Sequence, residues 1–167
     1  MRPRLLVDRP ARFLLCSEGM EGSSASLSAL ARRERERTEA AFARMAALAG
    51  TGAWAPALEA FRAFESLLRR QMRRAEEVFF PLFEIRAGAA SELTQGLQQQ
   101  HREIEDRLEN LLSCLRECRL DDLPGCVRAL RGLLDEHDAQ AGRLVYPLLD
   151  RLLSEEQRRT LVASAGE

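Results

Sequence analysis

Hydrophobic residues recur at steps of three and four along four long stretches of the chain, the spacing of one buried face on a helix. The first stretch runs from about Ser26 to Ala49, with Leu27, Leu30, Glu34, Thr38, Ala41, Met45 and Leu48 on one face, and stops at Gly50-Thr51-Gly52. The second begins at Trp54-Ala55-Pro56, a proline suited to a first turn, and reaches about Arg86. Its inner face reads Phe61, Phe64, Leu68, Gln71, Ala75, Val78 and Leu82. After a break at Gly88, a third stretch spans about Ala90 to Cys118 and aligns Leu93, Leu97, His101, Ile104, Leu108, Leu111 and Leu115. Asp121-Asp122-Leu123-Pro124 supplies a cap and an early proline for the fourth. That stretch extends to about Leu153 and aligns Val127, Leu130, Leu134, His137, Ala141, Leu144 and Leu148. Ser154-Glu155-Glu156-Gln157 has capping-box spacing for a short final helix. The pattern predicts an all-α protein: an up-down-up-down four-helix bundle with a short fifth helix. An N-terminal arm covers residues 1–25, the bundle 26–153, and the last helix and tail 154–167.

Composition agrees. Five Val, two Ile and four Thr in 167 residues are too few β-branched side chains for a normal sheet. All 25 basic residues are arginine, an imprint expected of a GC-rich bacterial genome, and they balance 26 acids. A net charge of −1 makes no electrostatic case for nucleic acid or an anionic membrane. The arm's longest apolar run, Phe13 to Cys16, is too short for a signal core or a membrane span. Four cysteines fit no secreted disulfide framework at this length, so a cytoplasmic location is expected.

The pattern also repeats. Leu67–Ala75 leads to Phe79-Phe80-Pro81-Leu82, and 66 residues later Leu133–Ala141 leads to Val145-Tyr146-Pro147-Leu148. Each proline removes a backbone hydrogen bond and should bend its helix. Each helix places one polar residue at a comparable level of the inner face: Glu34, Gln71, His101 and His137, with Glu105 one turn beyond His101. Converging polar groups in an apolar bundle are costly unless they satisfy one another or hold something. One reading is a metal-free cluster in which Glu34 accepts from one or both histidines. The other is a metal site, since imidazole and carboxylate suit iron or zinc.

Those residues and the paired hydrophobic-proline elements resemble the hemerythrin-like family, the bacterial cation-binding HHE domains, over about residues 26–153. The resemblance implies histidine and glutamate ligands on the second and fourth helices and a histidine on each of the others. His101 and His137 match. Gln71 and Glu34 stand where histidines belong, and Ala75 and Ala141 where the carboxylates that bridge a di-iron pair belong. Without those bridges two adjacent cations lack charge compensation, so a di-iron centre is not expected. The site expected instead is mononuclear, one iron or zinc ion on His101, His137, Glu34 and Glu105. Glu76 and Glu77 rotate away from Ala75 on a regular helix and are poor substitutes for it. The resemblance implies a redox or stress role. The alternative is a bundle without metal, acting as scaffold, sensor or interaction module.

The remaining signals have ordinary readings. Cys114, Cys118 and Cys126 lie near one another, as small apolar residues or as a redox-responsive pair. Arg69, Arg70, Arg73 and Arg74 form a basic run expected on a solvated face, pairing with Glu65 and Glu77. No phosphate loop, nucleophile elbow or dinucleotide fingerprint occurs, and catalysis is not expected. A protein partner or a homo-oligomer remains open; nucleic acid and membrane partners are not expected.

Overall fold

The computed structural model describes residues 25–88 and 91–165. The arm expected over residues 1–25 lies, but for Ala25, outside the described residues. Helix α1 spans Leu27–Gly50. Helix α2 runs through Trp54–Arg74, a π-helical turn at Ala75–Phe79, and Phe80–Ala87. Helix α3 spans Ser91–Arg116. Helix α4 runs through Leu123–Gln140, a second π turn at Ala141–Val145, and Tyr146–Leu152. Helix α5 spans Glu155–Ser164. There is no strand among the described residues. The fold is the all-α bundle that the periodicity predicts, with α1 packed on α2, α3 on α4, and α5 closing one end.

The helix ends follow local chemistry. Gly88 terminates α2 at φ +69°, a left-handed conformation that favours glycine. The capping box at Ser154 is present: its hydroxyl accepts from the Gln157 amide at 3.2 Å, and Gln157 Oε1 accepts from the Ser154 amide at 3.0 Å. The aspartate cap expected for α4 differs. Asp122 makes no side-chain cap bond, because its carboxylate is held at 2.8 Å by Arg119 from the preceding turn.

The two π turns correct the predicted inner face. Pro81 has no N–H, and its ring would collide with the carbonyl four residues back, so the helix widens by one residue. Phe80 N–H then bonds to the Ala75 carbonyl, and Tyr146 N–H to that of Ala141. Beyond each turn the seam advances by one position. Val78 and Leu144, expected inside, are exposed, while Phe79, Phe83, Val145 and Leu149 are buried.

Two apolar clusters fill the bundle. One centres on Phe42, Phe61, Phe64, Leu108 and Leu111, the other on Leu27, Phe79, Phe80, Leu97 and Leu149. Between them lies the polar layer.

Candidate metal centre

His101 on α3 and His137 on α4 face each other, with Nε2 atoms 3.4 Å apart and ring centroids at 4.7 Å. His101 is buried, and its ring stacks on Phe80 at 5.6 Å. Each outer nitrogen is held by an oxygen: His101 Nδ1 lies 2.7 Å from Glu76 Oε1, and His137 Nδ1 lies 3.3 Å from Gln100 Oε1. Carboxylate and amide oxygens only accept, so both Nδ1 atoms carry the proton and donate. Burial lowers the pKa of His101, although Glu76 opposes the shift. Burial, with His101 beside it, pushes His137 down to about 3. Both shifts favour the neutral imidazole. The two Nε2 atoms lie 3.4 Å apart, with the rings tilted 48° to each other.

The other polar residues of the layer are engaged elsewhere. Glu34 lines the same cavity as the two histidines, but its carboxylate pairs with Arg74. Neither imidazole donates to it. Arg74 is the exception in the basic run that was expected on the surface: it is largely buried, lies over the Phe79 ring, and reaches the Ala165 carbonyl. Arg69 does pair with Glu65 at 3.2 Å, and it also takes Glu105 at 2.7 Å. Gln71 donates to Thr38 Oγ1 at 2.6 Å and to the Glu34 carbonyl at 3.0 Å. Glu76 is not among the site residues the sequence predicts, because a regular helix rotates it away from Ala75. It sits in the π turn after Ala75, and the hydrophobic-proline element downstream is the signal that could have shown the change of register.

A cavity of about 220 Å³ adjoins the histidines, lined also by Arg32, Gln71, Ala75, Asp138, Ala141 and Tyr146. Burial raises the pKa of Asp138 to about 6, against the opposing pull of Arg35 at 3.2 Å.

A four-helix bundle with two facing histidines in a polar layer between its apolar clusters has the form of a cation-binding helical protein. The chain belongs to the family described as Hemerythrin HHE cation binding domain, which matches residues 27–149. Comparison with curated proteins and with solved structures gives no match.

The spacing of the two histidines is compatible with a shared ion. Two nitrogens each about 2.0–2.1 Å from a shared tetrahedral ion stand about 3.3–3.4 Å apart, which is the separation seen here. The outer hydrogen bonds to Glu76 and Gln100 are the support that orients metal-bound histidine. Ala75 and Ala141 carry no donor atom, and the Arg74 cation holds Glu34. Among the described residues no three His, Cys, Asp or Glu side chains converge closely enough to hold an ion by themselves.

Proposed function

We propose that this chain is a hemerythrin-like cation-binding protein holding at most one iron or zinc ion between His101 and His137, in a redox or stress role. The observation that carries the reading is the pair of Nε2 atoms at 3.4 Å, each ring with an oxygen at its other nitrogen. Their separation is that of two nitrogens sharing one tetrahedral ion. Glu34 is the third donor, once it exchanges Arg74 for the ion. Glu105 acts through its charge, which favours positive charge near His101. A bound ion supplies a Lewis acid or, as iron, a one-electron centre beside the cavity. The alternative, a metal-free interaction module, has one observation of its own: Arg74 already neutralises Glu34.

Elemental analysis of protein purified without chelators tests the reading. The expected result is up to one equivalent of iron or zinc per chain, lost in His137→Ala. A metal-free protein that also fails to take up added Zn²⁺ or Fe²⁺ would overturn it. Two irons with a bridged-oxo absorption band would overturn the ligand assignment.

A further inference from the structure

Three cysteines gather where α3 turns into α4, and their access to solvent is graded. Cys114 is buried, Cys126 half-buried and Cys118 exposed. Backbone hydrogen bonds tie the turn down. Arg119 N–H donates to the Cys114 carbonyl at 3.0 Å and Cys118 N–H to that of Leu115 at 3.3 Å, closing α3 with Cys118 in the left-handed position at φ +55°. Cys126 N–H donates to the Asp122 carbonyl at 3.1 Å at the start of α4. The Cys114 thiol donates to the Arg119 carbonyl at 3.2 Å, and its sulfur meets the Cys126 side chain in a second hydrogen bond. Two thiols on different helices are thus in contact, each on a fixed stretch of backbone. Only one of them is open to solvent: Cys126 lines a surface recess of about 240 Å³ with Arg107, Asn110 and Arg119, and Cys114 is not part of that lining. Burial, with Cys126 beside it, pushes the Cys114 thiol up to about 11, so Cys114 stays protonated.

We propose that Cys114 and Cys126 form a reversible disulfide between α3 and α4, made by hydroperoxides that reach Cys126 through this recess. In the first step the Cys126 thiolate attacks one peroxide oxygen and the O–O bond breaks. Cys126 becomes a sulfenic acid, and the hydroxide released takes up the proton that Cys126 lost. In the second step the Cys114 sulfur attacks the Cys126 sulfur and the S–O bond breaks. The departing hydroxide takes the Cys114 proton and leaves as water. The two thiols give up two electrons, and hydrogen peroxide is reduced to two waters. Contact between the sulfurs positions the pair for closure before the oxidant arrives. The proposal is independent of the metal reading, which involves neither sulfur.

Peptide mapping tests it, because cleavage after arginine places the three cysteines on separate peptides, 108–116, 117–119 and 120–128. The full chain, reduced and freed of reductant, is treated with equimolar hydrogen peroxide, alkylated in denaturant and digested with trypsin. The expected product is a cross-link between the Cys114 and Cys126 peptides, formed in chains that stay monomeric on a denaturing gel and removed by dithiothreitol. Cys118→Ser should leave that cross-link unchanged. Cys126→Ser should keep Cys114 fully alkylatable after peroxide, and Cys114→Ser should leave a sulfenic acid on Cys126 that dimedone traps. Oxidation of Cys118 while Cys114 and Cys126 both stay alkylatable would overturn the proposal. So would a Cys126 cross-link made only to Cys118 or to a second chain.

Discussion

Glu76 Oε1 lies 2.7 Å from His101 Nδ1, although Glu76 is one residue past the buried seam of α2 and its side chain is 43% exposed. The contact fixes the protonated nitrogen of a buried ring from outside the core. That leaves the other nitrogen free to bind. Removing such an outer partner costs a metal site about 10–100-fold in affinity. Glu76→Ala should therefore weaken Zn²⁺ binding by that amount, measured by competition with a chromophoric chelator. Its thermal unfolding should stay close to that of the parent, because an exposed side chain contributes little packing. An unchanged Zn²⁺ affinity would reduce Glu76 to a surface carboxylate.

The π turns make a second prediction that concerns packing alone. Val78 and Phe79 are neighbours in sequence, but Val78 is 36% exposed and Phe79 2%. Phe79 packs its ring edge against Tyr146 at 5.5 Å and lies beneath Arg74. Phe79→Ala should cost about 3–5 kcal/mol in urea unfolding, and Val78→Ala less than about 0.5 kcal/mol, as for an ordinary surface change. Equal costs would mean that α2 continues as a regular helix through Pro81.

The same pair shows how far the sequence could be read. Spacing of three and four predicts the inner face of α3 closely, with Leu97, His101, Ile104, Leu108 and Leu111 all buried. On α1 it places Leu27, Leu30, Thr38 and Met45 correctly but takes Ala41 and Leu48 where Phe42 and Ala49 are buried. In α2 and α4 the rule holds as far as Ala75 and Ala141 and fails by one residue afterwards, at Val78 and at Leu144. Periodicity assumes a constant rotation per residue, and a π turn changes that rotation at one place. The facing histidines were legible because their helices are regular up to that level. The pairing of Glu34 with Arg74 was not. Arg74 precedes Ala75 in a run of four arginines, and only tertiary packing separates the buried one from the rest.

Arg74 and Glu34 form a salt bridge whose side chains are only 13% and 12% exposed. The Arg74 Nε has no partner among the described residues, so the pair's attraction is set against incomplete hydrogen bonding. Breaking such a pair from one side leaves an uncompensated buried charge, at a cost of about 3–5 kcal/mol. Arg74→Met should be destabilised by about that amount in urea unfolding. Adding Glu34→Gln to it should recover most of the loss, since the stranded carboxylate is gone. A double variant as unstable as the single one would show that Arg74 acts through packing on Phe79 rather than through charge.

Asp150, near the end of α4, caps the start of α1 across the bundle: its carboxylate accepts from the Leu27 amide at 2.7 Å, the Ser28 amide at 3.1 Å and the Ser26 hydroxyl at 2.8 Å. Burial pushes its pKa up, but the hydrogen bonds from Ser28, Leu27 and Ser26 outweigh burial and hold it below the ordinary 3.8. A lowered carboxyl pKa stabilises the fold above the unfolded-state value, and the benefit disappears as pH falls through the folded-state value. Asp150→Ala should therefore cost about 1 kcal/mol near neutral pH, the usual worth of a helix cap. The gap between parent and variant should hold down to about pH 5, shrink below about pH 4, and close once the parent's carboxyl is protonated. Urea midpoints of the two proteins, compared at several pH values, measure that gap directly. A difference that stays constant into strong acid would mean that the contact between α4 and α1 depends on the shape of Asp150 and not on its charge.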